Sequence, residues 1–576
     1  MNKIQSTIII FLLTTFIGLA QFSSDPSNPL VVSPIHSPQG ALSSDVRIAT
    51  NSSGYSYIAW ENIDEDNNTV TIELQYLNAD GIKQWTNSLV VASLDLSTYY
   101  RNNFNLLINS KNEAIISFID EIKTLSIIHI LSSGSEKRFN LTFTDVESAG
   151  ILFLTGNTIA LNSKDELLFA VTFSNWHETR ICKLLITNNG FNIISSLEIP
   201  GTNLQPTICP IDNDNFYVVY RDNNRLFADL YDQNFNAIWK STYIGHETGM
   251  ELSPTDPHFV KPDGYGGIFI LWKKKDIFIQ QITNELDEWT QTPIGVRKFG
   301  SSGLLLSTNV IEAYSPLFSV DVPHGTINVA WRSHTVSNTL VKAQKIKLIE
   351  TPIKNDLNED IFGEKLWGED GLSIYTDVIS YTNTPLGIGS SGNKVLLIFS
   401  KFNINKMDYE FMFTRIEENG VIAFPNFIPL YSTKSDRHSI VSTDFTANQI
   451  IIAWSDHNEL LSPSPTTIRS QNVSFNGMMG VGANKDNILE YHNLNEINIY
   501  PNPTNNYIEF IINSNSFQNA IVNVYDVAGN TIDMIDVTLD NEDNLIRLTH
   551  NYLSGSYFIK IILDNKKTFF GSFVVK

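Results

Sequence analysis

The chain has 576 residues, 42% of them hydrophobic and 11% aromatic, which is enough apolar material for a large core and more than one domain. A formal net charge of -22 repels nucleic acid and anionic membrane surfaces and excludes both as principal partners. Two cysteines, Cys182 and Cys209, cannot build a disulfide scaffold.

The chain opens with Lys3, an apolar run from Ile8 to Phe16, and the small residues Gly18 and Ala20 ahead of Gln21. That order is a secretory signal peptide over residues 1–20, cut between Ala20 and Gln21. A membrane anchor would need about 20 consecutive apolar residues, and Thr14 and Thr15 interrupt a shorter run here. No later stretch is long enough, so the mature chain is expected to have no transmembrane segment.

Between about residues 45 and 486 one unit recurs eight times. A short strand leads through a polar turn into an apolar strand that ends in an aromatic. These second strands are Tyr55 to Trp60, Glu113 to Phe118, Leu167 to Phe173, Phe216 to Tyr220, Gly267 to Trp272, Thr326 to Trp331, Lys394 to Phe399 and Gln449 to Trp454. The turns ahead of them, such as Ser53-Gly54, Lys111-Asn112 and Gly392-Asn393, use residues that tolerate left-handed backbone. A third strand follows, then a second polar turn such as Asn78 to Gly81 or Glu417 to Gly420, and then an aromatic: Trp85, Trp239, Trp289, Trp367 or Phe424.

Four antiparallel strands and two hairpins per unit make a β-propeller blade. The expected fold is therefore all-β, a seven- or eight-bladed β-propeller over residues 21–488 followed by a small β-sandwich over 489–576. Of nine tryptophans, four end a second strand and four open a fourth, which assigns them to the wedges between blades. The segment Asn28 to Ser33 resembles Asn87 to Ala92 at the end of the first unit. The N-terminus is thus expected to supply the last blade's outer strand and close the ring, leaving no free edge. Cys182 falls on an outer strand and Cys209 on an innermost strand of the next unit, too far apart for an expected bridge.

In such a ring the loops after the second strands surround the mouth of the central channel. They are expected to carry Glu61, Asp64, Asp120, Glu121, Trp176, His177, Arg221, Asp222, Lys273 to Lys275, Arg332, His334, Lys401, Asp456 and His457. Binding sites are usually placed on loops of a rigid scaffold. The candidate ligand-binding residues are Trp176, His177, Arg221, Arg332, His334, Asp456 and His457; Trp176 fits neither repeat position. The plain alternative for all of them is an ordinary solvated rim. No catalytic, phosphate-binding or metal-helix motif is present, and no cofactor is expected. Asp64, Asp66 and Asn68 have the one-three-five spacing of a calcium loop, but its glycine and distal glutamate are missing, and a solvated acidic hairpin is the plainer reading.

From Leu489 the pattern changes to short strands. Three stretches are distinctive: Ile497-Asn498-Ile499-Tyr500-Pro501-Asn502-Pro503, the strand and turn Val522 to Asn530 with Asp526 and Gly529, and Leu553 to Ile561 with Gly555 and Tyr557. With the apolar end closing on Lys576, they resemble the type A C-terminal sorting domain of proteins exported by the type IX secretion system. Ala59-Trp60, Ala330-Trp331, Ala453-Trp454 and the stretch Asp80 to Trp85 are likewise similar to the propeller-like repeat of many such proteins. The resemblance implies that Tyr500, Pro501, Asn502, Pro503, Gly529, Gly555, Tyr557 and Lys576 belong to the sorting signal. It also implies that the secretion machinery is the partner of this domain, and that the protein travels through the periplasm to the outer-membrane surface or the medium. The expected function is a secreted or cell-surface binding module for a polysaccharide or protein. The alternatives are a glycoside hydrolase or lyase using Asp120, Glu121 and Asp456, and a purely structural surface component.

Overall fold

A computed structural model describes residues 21–33, 45–480 and 495–576, with breaks at loops that include 121–123, 143–150, 174–177, 245–257, 285–295, 458–465, 500–503 and 527–530. The signal peptide, Trp176, His177, Glu121, Trp289, the Tyr500 to Pro503 motif and Gly529 lie outside the described residues. The chain divides into two compact units between Lys485 and Asp486.

In the first unit several of the hairpins between a first and second strand are organised by one local device, while the fourth and sixth turn through short 3-10 segments at Asp212–Asp214 and Val322–His324. Asn109 accepts the N–H groups of Lys111 and Glu113 on its side-chain oxygen, and Asn112 closes the turn at φ 62. Asn162 does the same for Lys164 and Glu166, with Asp165 at φ 59. In the fifth sheet Asp263 does so for Tyr265 and Gly267. A short side-chain acceptor at the start of the turn and a residue tolerant of left-handed backbone at its end are what these four-residue loops need. The turns also bond to one another: Ser110 donates to Asp165, and Ser163 to Asp214.

Eight antiparallel sheets result, each with four strands or five among the described residues. Their innermost strands are Val46–Thr50, Phe104–Ile108, Ile159–Leu161, Leu204–Pro210, His258–Pro262, Glu312–Asp321, Pro385–Ser391 and Arg437–Phe445. Each lies beside the next, and the eighth lies beside the first, so the sheets form a closed β-propeller ring. The eighth sheet is completed by Leu30–Val31, which pairs antiparallel with Thr466–Ser474. The N-terminal segment therefore closes the ring as its sequence likeness to the end of the first unit requires.

Inside the wedges, strand alternation sorts the side chains. Trp60, Trp272, Trp331 and Trp454 are all buried, and each points at the preceding sheet, sharing a cluster with Ile451, Tyr217, Phe269 and Leu396 respectively. The residue just before points the other way. Ala59 meets Phe118 of the second sheet, Ala330 meets Phe399 of the seventh, and Ala453 meets Trp60 of the first. A small residue facing one way and a large aromatic facing the other let successive wedges fill without voids.

The later aromatics act across sheets too. The Trp85 indole donates to the carbonyl of Ser132 at 3.0 Å, in the second sheet's outer turn. Trp367 reaches the corresponding turn of the seventh sheet, donating to Glu418 at 3.1 Å. In the same way Phe424 lies over Gly477 of the eighth sheet. At the ring's last junction, beside Trp60, the place that Trp85 and Trp367 hold elsewhere is taken by Phe22. It is 2% exposed, donates its backbone N–H to Asp80 at 3.0 Å, and sits so close to Gly81 that a Cβ there would lie 2.6 Å from the ring. Gly81 also has φ 81, so close approach and backbone both demand glycine.

One expectation is corrected, and the expected absence of a Cys182–Cys209 bridge agrees with the structure. The second strands run past their aromatics: Ser56–Asp64, Thr326–His334, Lys394–Asn403 and Gln449–His457 extend three or four residues further than the sequence pattern marks. Glu61, Arg221, Arg332, His334, Asp456 and His457 therefore lie in strands and not in mouth loops, because the third strand continues to pair with them; Glu61, for example, faces Ile72. Cys182 and Cys209 are both buried and free. Cys182 packs with the second and third sheets and Cys209 with the fourth and fifth, so they face away from each other.

The second unit is a small β-sandwich. A five-stranded sheet holds Asn495–Glu496, Thr568–Val575, Gly555–Leu563, Gln518–Asp526 and Thr531–Leu539 in that order, and a two-stranded sheet pairs Tyr507–Asn513 with Asp543–Thr549. Their facing sides build one core from Ile508, Phe510, Val522, Val524, Ile559, Ile561 and Phe573. Thr504, just after the Pro501-Asn502-Pro503 motif, pairs with the end of the chain: its N–H donates to Val574, and Lys576 donates back to it. Tyr557 is buried and donates its hydroxyl to Leu553, bracing the turn before Gly555.

Candidate functional site

The described end of the ring on the side of the second-strand ends separates the candidate residues into three groups. Trp176 and His177 are outside the described residues, and of His457 only the backbone is described, pairing with Thr466. Two others are interior. Arg221 is almost wholly buried, next to His258, whose imidazole meets the Thr207 hydroxyl at 3.0 Å. Burial first, and the Arg221 charge second, push His258 down to about 3, so it is neutral at physiological pH. Asp456 is buried and ion-paired with Arg469 at 2.5 Å. That pairing leaves it a structural carboxylate, and Asp120 stands half-buried at the end of its strand.

Arg332 and His334 are brought together, and with two residues from neighbouring strands they form the best-defined cluster at this end of the ring. Tyr314, from the innermost strand of the sixth sheet, is at its centre. The Arg332 guanidinium lies 4.7 Å from the Tyr314 ring centroid and the Lys273 ammonium, from the fifth sheet, 4.6 Å. The His334 ring meets Tyr314 edge-on at 5.2 Å. Arg332 also donates to the Thr384 hydroxyl at 3.3 Å, which ties in the seventh sheet. A bulge between Tyr314 and Leu317 turns the strand here, with Ser315 at φ 47; the innermost strands of the fourth, seventh and eighth sheets shift register at the corresponding place, so the bulge belongs to the repeat. All four side chains are half-buried. The cluster presents cationic and aromatic surface together, which suits stacking on a sugar ring or holding an anionic group. Lys273, Arg332 and His334 are legible in the sequence as rim residues; Tyr314 is not, because it sits at the irregular start of an innermost strand.

Further down the channel, Lys261 and Asp444 come from the fifth and eighth innermost strands. Lys261 is exposed to the solvent of the channel and Asp444 is half-buried, with the ring's inner wall around both. The Asp444 carboxylate accepts the N–H groups of Thr50 and Phe445, each at 2.8 Å. Burial pushes its carboxyl up and the Lys261 ammonium down, and the attraction between the two charges opposes both shifts.

In the calcium-like trio the Asp64 carboxylate is already used within its own hairpin. Asp64 accepts the Asn67 N–H and side-chain amide at 3.1 and 2.8 Å, and Asn68, at φ 53, donates to Asp95 at 2.7 Å. Among the described residues no three His, Cys, Asp or Glu side chains are grouped as a metal site.

Ring and sandwich together define an all-β protein built of a β-propeller and a small appended domain. Residues 498–576 match the family described as the secretion system C-terminal sorting domain. The chain is thus a cargo of type IX secretion, addressed to the cell surface or the extracellular space. No curated protein matches the chain. Among solved structures, the β-propeller domain of Nup133 from Vanderwaltozyma polyspora is similar at 9% identity, covering 74% of this chain and all of that one (100%), with a TM-score of 0.32. The β-propeller domain of the trilobed protease from Pyrococcus furiosus is similar at 10% identity over 68% of this chain and 97% of that one, with a TM-score of 0.33. The acylaminoacyl peptidase of Pyrococcus horikoshii is similar at 11% identity over 73% of this chain, with a TM-score of 0.36, and the chain spans 59% of that protein. Among the described residues no helix is long and apolar enough to cross a membrane.

Proposed function

We propose that the propeller is an extracellular binding module, and that its ligand, a polysaccharide, is held at the channel mouth by the cluster of Tyr314, Lys273, Arg332 and His334. The observation that carries this reading is the gathering of two cations and an imidazole around one half-buried tyrosine, contributed by adjacent sheets, at the end of the ring where propeller loops converge. Trp176, His177 and His457 would extend the same surface. The signal peptide over residues 1–20 would deliver the chain to the periplasm, and the sorting domain would complete export.

The mature chain, applied to a glycan array, is expected to retain a defined set of polysaccharides. Tyr314→Ala and Arg332→Ala should each weaken that retention by about tenfold or more, with the denaturation midpoint nearly unchanged for Arg332→Ala. Binding that survives both substitutions overturns the assignment of the site. Turnover of chromogenic glycosides by the same preparation would overturn the binding-only reading.

A further inference from the structure

The solvent side of the sorting domain's five-stranded sheet breaks the rule that an antiparallel sheet covered on one face shows polar residues on the other. Its outward positions include Met534, 65% exposed, and Phe558, 49% exposed, together with Ile521, Ile532 and Val574. Register sets them on one face: Tyr525 stands opposite Phe558 and close to Ile532, and two rows on Ile521 stands between Ile562 and Asp536. Between these rows lie Asn523 and Lys560, directly opposite each other, with Met534 beyond Asn523. The two-stranded sheet offers the contrast. Its outward face carries Glu509 paired with Arg547 at 3.5 Å, and Arg547 covers the Tyr507 ring at 4.0 Å, leaving only the Ile511 and Leu545 pair apolar. Exposed apolar surface is thus confined to one pair on this face and spread over four strands on the other.

We infer that this five-stranded outer face, centred on Phe558 and Met534, is the surface by which the secretion machinery takes hold of the cargo. The domain matched over 498–576 exists to be recognised by that machinery, so its partner is assigned while the surface is not. An exposed apolar patch on a small domain marks a protein contact, and on the opposite face the exposed apolar surface is confined to the Ile511–Leu545 pair. The occupant is a protein with an apolar groove.

The test uses the full chain expressed in a bacterium with a type IX system. The double variant Met534→Lys with Phe558→Lys should accumulate in the periplasm, its ratio of periplasmic to released protein rising by about tenfold or more. The matched variant Ile511→Lys with Leu545→Lys on the opposite sheet should be exported normally. Circular dichroism and thermal melting of the purified periplasmic protein verify that the sandwich is folded, and Phe558→Gln alone supplies a milder second variant if the double one is not. Normal export of both Met534/Phe558 variants overturns the proposal, as does equal retention of the opposite-face control. A wild-type chain that sediments as a dimer and becomes monomeric on Phe558→Gln, with export intact, would instead assign the face to a second copy.

Discussion

Ring closure rests on a short N-terminal segment, and Phe22→Ala is the substitution that tests it most directly. Phe22 occupies the junction between the eighth and first sheets, the position that Trp85 and Trp367 hold at other junctions, and shares its cluster with Trp60, Leu77, Ile451 and Ala453. Its contact with Gly81 is against rigid turn backbone, so the vacated volume cannot be refilled by a small shift. Truncating a buried phenylalanine costs about 3 to 5 kcal/mol. Here the loss is bounded, because the segment around Leu30–Val31 is held by few strand pairs and can detach before the ring unfolds. The expected result is two signals: a lower denaturation midpoint for the propeller, equivalent to about 3 kcal/mol, and faster amide exchange in Thr466–Ser474, the strand that loses its outer neighbour. Denaturation followed by intrinsic fluorescence gives the first and hydrogen exchange read by mass spectrometry the second. Ser24→Ala, on the exposed side of the same segment, should shift stability by less than about 0.5 kcal/mol. If Phe22→Ala leaves both midpoint and exchange as in the wild type, the N-terminal segment does not close the ring in solution.

Trp331→Ala, at a fully buried position facing the fifth sheet, should cost on the order of 3 to 5 kcal/mol in the same denaturation assay. Burial pushes Asp45 from an ordinary 3.8 up to about 6, despite its 2.6 Å pairing with Arg47; the folded state therefore holds this proton more tightly than the unfolded one. The contribution is full below about pH 4 and is lost as pH rises through 6, so Asp45→Asn should remove that slope and stabilise the chain at pH 7 by on the order of 2 kcal/mol. Burial also pushes both Cys182 and Cys209 up to about 12, so neither should be alkylated at pH 8 in the native chain, while both react once it is unfolded. Labelling of either thiol in the folded protein would place it at the surface. Deleting 497–576 should leave the protein in the periplasm, as judged by fractionation and immunoblot.

The repeat, its strand order, the closure by the N-terminus and the sorting domain are all legible in the sequence, and for one reason. Each is written in local signals: an apolar run ending in an aromatic, an Asx turn with a left-handed residue, or a short motif such as Ile497 to Pro503. Alternation along a strand even specifies that Ala59 and Trp60 must face opposite neighbours. What only the tertiary structure decided is where each strand stops and which side chains meet. Arg221, Arg332 and Asp456 follow the apolar core of their strands and read as loop, yet pairing with the third strand carries the ladder past them. Burial then separates them. Arg221 and Asp456 turn into the wall of the ring, and Arg332 finds Tyr314, a residue 18 positions earlier in the chain that no local pattern joins to it. Phe22 is the clearest case. Nothing in its own neighbourhood marks it as core; only closing the ring brings Gly81 and the last sheet around it. Local periodicity fixes secondary structure because it is a property of a few adjacent residues, whereas a wedge or a site is made by chain segments whose proximity exists only after the ring has formed.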